Sequence, residues 1–167
     1  ILGEIAASKI LPKSDRSFFE AIGRGGNGKP VIIAEIKKAS PSEGKIFVGK
    51  NFDAVKIAKT YEKGGASAIS VVTDEKYFQG SFEYLKSVSA ATNLPILCKD
   101  FVIQEYQIYK AREYGANAIL LIAAFLDEVK IKKFMNIADD LGMDCVTEVH
   151  NESELQKALD TDAKIIG

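Results

Sequence analysis

The chain has 167 residues, with 22 Lys and Arg against 23 Asp and Glu, a net charge of -1 and 47% hydrophobic residues. That is enough apolar material for a core and enough charge to solvate the outside, which excludes a disordered or collagen-like chain. The charge balance leaves no basic footprint for nucleic acid or an acidic membrane, no apolar run approaches the roughly 18 residues that span a bilayer, and no leader pattern opens the chain, so the protein reads as cytoplasmic.

Residues 1–29 stand apart as an N-terminal helical extension. Leu2–Leu11 and Ser17–Ile22 read as helical pieces, followed by a flexible glycine-rich stretch, and the extension is expected to pack on a single domain of residues 30–167. Gly23, Gly25 and Gly28 fit the G-x-G-x-x-G spacing of a dinucleotide site. In such a site the glycines follow a strand and open a helix, whereas here they follow a helix and precede a strand, so they read as a linker.

Short apolar runs follow at 31–36, 68–72, 95–98, 118–123, 144–149 and 163–166, each about the length of a strand. Between them apolar residues recur at helical spacing: Ala54, Ile57, Ala58 and Tyr61, then Tyr84, Leu85, Val88 and Ala91, then Ile131, Phe134, Met135, Ala138 and Leu141. Asp53, Ser81, Asp127 and Asn151 are placed as N-caps, Asn151 with Glu154 three residues on, and Gly64, Gly115 and Gly142 are placed to close helices. Six strands alternating with five helices define an α/β chain of βα units with a parallel sheet and right-handed crossovers.

Alternate residues of a strand share a face. The first strand then groups Val31, Ile33, Glu35 and Lys37 against Ile32, Ala34 and Ile36; the third ends with Lys99 on the face of Leu97; the fifth ends with Glu148 on the face of Val146. Four ionisable residues at the carboxyl ends of three parallel strands are what an active site at the rim of a β/α barrel presents. Glu35 and Lys37, about 6.8 Å apart along the strand, attract by about 2 to 3 kcal/mol at an effective dielectric near 20. Cys98, Cys145 and Thr147 face the helices instead, and both cysteines read as small buried hydrophobes. With His150 as the sole histidine no Cys/His zinc site can be assembled. The loop Lys38–Gly44 adds hydroxyls and a glycine beside Lys37, suited to holding an anionic group.

Glu35-Ile36-Lys37-Lys38-Ala39-Ser40-Pro41-Ser42-Glu43-Gly44 resembles the signature of the indole-3-glycerol phosphate synthase family. Ser70-Val71-Val72-Thr73-Asp74-Glu75-Lys76-Tyr77-Phe78-Gln79-Gly80 is similar to that family's second strand and loop, Pro95-Ile96-Leu97-Cys98-Lys99-Asp100-Phe101 to its third strand, and Thr147-Glu148-Val149-His150 to its fifth. The resemblance implies a (β/α)8 TIM barrel, here about six βα units after the helical extension. It implies a carboxy-lyase of tryptophan biosynthesis, closing the ring of 1-(2-carboxyphenylamino)-1-deoxyribulose 5-phosphate to give indole-3-glycerol phosphate, carbon dioxide and water, with no cofactor and no metal. By position, Lys99 resembles the acid that protonates the keto oxygen and Glu148 the acid/base group of the later dehydration. Lys37 resembles the lysine that meets the substrate's anionic groups, and Glu35 a carboxylate that assists proton transfer. Phe78, Phe101 and Leu120 align with the walls of the anthranilate pocket, and Ser40 with a substrate contact. A lysine is a weak acid near neutrality unless burial or a second cation helps it release its proton, so Lys37 beside Lys99 makes chemical sense.

A complete barrel of this kind takes about 250 residues. The motifs place the shortfall from inside the sixth strand onward, and the expectation is a fragment with two open sheet edges, able to self-associate, of a monomeric parent acting on a small phosphorylated substrate. Two other readings share the features: a Schiff-base sugar-phosphate lyase using Lys99, and a non-catalytic scaffold whose open edges bind a partner.

Overall fold

The computed structural model of the chain describes residues 11–23, 30–47, 49 and 51–167. The helical piece expected at Leu2–Leu11 lies, apart from its last residue, outside the described residues, as do Gly25 and Gly28. In chain order the elements are α1 (Phe18–Gly23), β1 (Ile33–Ile36), β2 (Ala39–Ser40), β3 (Gly44–Lys45), α2 (Ala54–Lys63), β4 (Ala68–Val72), α3 (Glu75–Phe78), α4 (Phe82–Ala91), β5 (Ile96–Lys99), α5 (Glu105–Glu113), β6 (Ala118–Ile122), α6 (Glu128–Asp140), β7 (Asp144–Glu148), α7 (Glu152–Leu159) and β8 (Ile165–Ile166).

Six strands form one parallel sheet in the order β1-β4-β5-β6-β7-β8, which is their chain order once the separate β2–β3 hairpin is set aside. The four expected N-caps hold: Asp53, Ser81, Asp127 and Asn151 accept from the backbone N–H of Lys56, Glu83, Lys130 and Glu154, satisfying donors that the first helical turn leaves free.

Several details differ from the sequence reading, among them the last strand, which is Ile165–Ile166 where 163–166 is expected, and the short helix α3. The first strand begins at Ile33, because the ladder with β4 starts at Ile33 opposite Ala68 and Val31 and Ile32 precede it. Gly64 keeps a helical φ of -76°, and Gly65 at +88° takes the left-handed turn that closes α2. The loop after β1 folds into an antiparallel hairpin, Ala39 opposite Lys45 and Ser40 opposite Gly44, with Gly44 at φ +69°.

One set of strand side chains points at the helices. Ile36, Ile69, Val71, Ile96, Cys98, Ile119 and Leu121 join Leu85, Ile108, Ile131 and Phe134 in the main core, with Cys145 packed against it. The alternate set, Ala68, Leu97, Ala118, Leu120 and Ile122 with Val146 and Ile165, forms a second core on the concave face. Fully burying a side chain the size of Leu or Ile contributes about 1.5 to 3 kcal/mol, so both faces of the sheet are driven shut.

Phe18, with 0% exposure, plugs that second core from the extension. Space for it comes from Ala68 and Ala118, the first residues of β4 and β6. The Arg16 guanidinium donates to the carbonyls of Thr92 and Leu94 at 2.9 and 3.0 Å, and Ser17 Oγ and the Phe19 N–H donate to Asp144 Oδ2 at 3.2 and 3.0 Å. Asp144 opens β7. Residues 16–19 therefore pack at the amino ends of the strands, leaving the concave face approachable from their carboxyl ends.

Across the sheet the residues in register run Glu35, Ser70, Leu97, Ala118, Asp144. This row starts at the third residue of β1 and ends at the first of β7, the slanted stagger by which a parallel sheet curls toward a barrel. No helix among the described residues is long and apolar enough to cross a membrane.

Candidate active site

Strand parity and stagger together bring the four expected charges to the carboxyl-end rim. Glu35 lies in β1 and Lys37 follows it, with Lys37 Nζ 3.2 Å from Glu35 Oε1 and both side chains 29% exposed. The neighbouring strand completes this pair, because Ser70 Oγ donates to Glu35 Oε2 at 3.2 Å. Lys99 ends β5 and Glu148 ends β7; Lys99 Nζ donates to Glu148 Oε2 at 3.3 Å across the end of β6, where Ile122 pairs with Glu148. Each lysine is thus matched by a carboxylate, a donor and an acceptor held at proton-transfer distance.

All four line a hollow of about 150 Å³ whose other walls are Val72, Asp74, Phe78, Asp100, Phe101, Leu120 and Ile122. The floor is apolar because Leu120 and Ile122 belong to the inner parity of β6. Glu35 and Lys37 also line a second hollow, of about 800 Å³, that runs between β1, the hairpin side and α2 past Phe47, Phe52 and Tyr61. The smaller hollow gathers the chemistry, since Lys99 and Glu148 reach it alone of the two.

The aromatic wall is fixed by local backbone chemistry. Asp74 caps α3 by accepting from Tyr77 N–H at 2.6 Å and Phe78 N–H at 3.2 Å, which sets where Phe78 points. Gly80 lets this turn fold back on β4: a Cβ there would stand 2.3 Å from the Val72 carbonyl oxygen. Gln107 Nε2 donates to the Phe101 carbonyl at 2.9 Å, and Thr73 Oγ1 donates to Asp100 Oδ2 at 2.6 Å, so the residues on both sides of the β5 exit are tethered. The Phe78 and Phe101 ring centres are 6.3 Å apart, and Phe101 meets Phe125 edge-on at 5.9 Å.

Of the residues expected from sequence, Glu35, Lys37, Phe78, Lys99, Phe101, Leu120 and Glu148 converge here. Ser40 does not line this hollow. It is buried in the hairpin, where its Oγ accepts from Glu43 N–H at 3.1 Å and lies 3.4 Å from Glu43 Oε2, a turn-holding arrangement. Sequence reasoning missed Ser70, Val72 and Ile122, although their parity with Ala68 and Leu120 could have found them, and Asp74, Asp100 and Phe125, which carried no periodic signal. Cys98 and Cys145 stay out of the site: burial, first among the causes, pushes both thiols up to about 12. Among the described residues no group of three or more His, Cys, Asp or Glu could hold a metal ion.

A parallel sheet curled with its charged residues at the carboxyl ends and helices on the convex side defines an α/β chain of the TIM-barrel class. Comparison with known proteins agrees. A structure of 3-keto-L-gulonate-6-phosphate decarboxylase from Vibrio cholerae superposes with a TM-score of 0.63 at 17% identity over 82% of this chain and 61% of that one. N-acetylneuraminate lyase from Mycoplasma synoviae gives 0.55 at 17% identity over 87% and 46%; at such identities both show the fold alone.

The model of the family "Indole-3-glycerol phosphate synthase" matches residues 2–167. Curated relatives of that name are 53% identical over 140 residues in Petrotoga mobilis (84% of this chain, 54% of that protein), 51% over 144 in Acaryochloris marina (86% and 46%) and 45% over 161 in Ruminiclostridium cellulolyticum (96% and 60%). The chain belongs to the indole-3-glycerol phosphate synthase family. It spans about half the length of the curated relatives it matches.

Proposed function

We propose that these residues carry the proton-transfer machinery and aromatic pocket of an indole-3-glycerol phosphate synthase. The reaction is decarboxylation and ring closure of 1-(2-carboxyphenylamino)-1-deoxyribulose 5-phosphate, a small phosphorylated substrate, in a cytoplasmic, cofactor-independent enzyme that is monomeric as the full-length polypeptide. The domain that carries it comprises residues 30–167, with residues 1–29 as its helical extension.

The observation that carries this reading is the Lys99–Glu148 contact of 3.3 Å beside a hollow walled by Phe78, Phe101 and Leu120. The aromatic ring of the substrate packs on those apolar walls, which places its keto oxygen at the charged rim. Lys99 gives a proton to that oxygen as the new bond forms. Lys37 meets the substrate's anionic groups, with Glu35 keeping the ammonium oriented and assisting proton transfer. Glu148 then serves the dehydration, as acid toward the departing hydroxyl or base toward the neighbouring carbon. Family membership favours this reading over a Schiff-base lyase or a scaffold, and the carboxylate on Lys99 Nζ suits an ammonium that donates a proton better than a free amine that attacks a carbonyl.

The test is formation of the fluorescent indole product by the full-length polypeptide that contains these residues. Product that disappears in Lys99→Ala supports the reading. Undiminished product in that variant, or a borohydride-trapped adduct of substrate on Lys99, overturns it.

A further inference from the structure

His150, the chain's sole histidine, lies two residues beyond Glu148. Its Nε2 is 3.4 Å from Glu148 Oε1, and its Nδ1 is 3.4 Å from Glu154 Oε2. Glu148 therefore has a nitrogen against each oxygen, Lys99 at Oε2 and His150 at Oε1. The backbone that presents the imidazole is itself pinned. His150 N–H donates to Glu154 Oε2 at 2.8 Å, and Glu154 N–H donates to the cap residue Asn151 at 2.9 Å. The imidazole is 61% exposed where the Glu148 side chain is 28% exposed, so the pair runs from the hollow out to solvent.

Ring closure needs such a route. Counted from the ionised substrate, the ring carbon bearing the carboxylate attacks the keto carbon and the keto oxygen takes a proton. Carbon dioxide leaves, returning its bond pair to the ring. The new hydroxyl takes a second proton, from Glu148, and departs as water, while the adjacent carbon releases one to the amine that Lys99 became in the first step. Each turnover therefore takes up one proton from solvent. A substrate filling the hollow covers the inner side of Glu148, whereas His150 stays outside, and imidazole is the side chain that gains and loses protons most readily near neutral pH.

We propose that His150 is a positioning residue for Glu148 and the port through which solvent protons reach it, an inference that rests on the synthase reading. The groups facing the imidazole are Glu148 from β7, Glu154 from α7 and, across Glu148, Lys99 from β5. Glu154 anchors the outer side of the ring. His150 at Oε1 keeps Oε2 turned toward Lys99, and hands Glu148 a proton after each dehydration.

Two readouts test this. With ring-15N label the single imidazole gives two nitrogen resonances; Glu148→Gln shifts Nε2 more than Nδ1, and Glu154→Gln does the reverse. In the full-length polypeptide His150→Ala lowers kcat roughly 10- to 100-fold, the scale of a misplaced catalytic group, with KM little changed. Added imidazole restores the rate, while His150→Gln, which can hydrogen-bond but not titrate, shares the kcat loss. An Nε2 resonance indifferent to Glu148→Gln, an unchanged kcat, or a loss that imidazole cannot rescue overturns the proposal. If the unsubstituted polypeptide forms no product the synthase reading fails, and the ring resonances by themselves decide whether His150 holds Glu148.

Discussion

Lys99 Nζ and Glu148 Oε2 stand 3.3 Å apart although 49 residues of chain separate them. The contact spans β6, which lies between their strands in the sheet. Each side chain extends from the last residue of its strand, so the geometry depends on two strand ends reaching the same height on a curled sheet. A pair so placed can pass a proton without either partner moving far.

Removing either partner should slow the chemistry and spare the fold. In the full-length polypeptide that contains these residues, and on the synthase reading proposed above, Lys99→Ala and Glu148→Gln are each expected to slow ring closure by about 10²- to 10⁴-fold, the usual worth of a positioned acid or base. Their circular dichroism should match the unsubstituted protein, because both side chains are about a third exposed and lie outside the two apolar cores. Near-normal turnover by either variant would remove the assignment.

Phe18 ties the extension to the sheet. Phe18→Ala should cost about 3 to 5 kcal/mol, the range for emptying a buried aromatic site, read by denaturant unfolding. Phe19→Ala is the control: that ring is 45% exposed, and its loss should stay within about 0.5 kcal/mol. Equal effects from the two would mean that the extension does not plug the concave core.

Cys98 and Cys145 are held as neutral thiols at about 12 against an ordinary 9.0, chiefly by burial. At pH 8 buried Cys98 should resist a thiolate-directed reagent in the folded chain and half-buried Cys145 should label slowly, with both labelling fast once the chain is denatured. The sign for stability follows: the unfolded chain loses these protons first, so stability falls as pH rises above about 9. Rapid labelling of the native protein would contradict this burial.

Glu154 is shifted the other way, held below its ordinary 4.5 first by the His150 backbone N–H and further by Asn151 and His150. A lowered carboxyl stabilises the folded state fully above its ordinary value, and that contribution is lost as pH falls through the lower folded value. The amide of His150, which donates to that carboxylate, should therefore lose hydrogen-exchange protection on acidification through that range, with Glu154→Ala already unprotected at pH 6. A His150 amide insensitive to both changes would show that Glu154 does not hold this turn.

Much of this was legible beforehand. The charges of Glu35, Lys37, Lys99 and Glu148 stood at the ends of apolar strands, and a period of two assigned them one face before any fold was known. The hairpin Ala39–Ser40 with Gly44–Lys45 was not legible, because two residues on a side cannot show an alternation. Nor was the bond from Thr73 to Asp100, or the approach of Phe125 to Phe101, since these join separate loops whose directions no single segment encodes.

The amino-acid sequence by itself determined the alternation of strands and helices, the caps that start the helices and the face on which each strand carries its charge. Those depend on periodicity and on hydrogen bonds within a few residues. Only the tertiary structure decided that Lys99 would meet Glu148, that Ser70 would steady Glu35 and that His150 would stand behind the same carboxylate. Those contacts depend on how far each strand is staggered against the next, a sum over the whole sheet that no one strand contains.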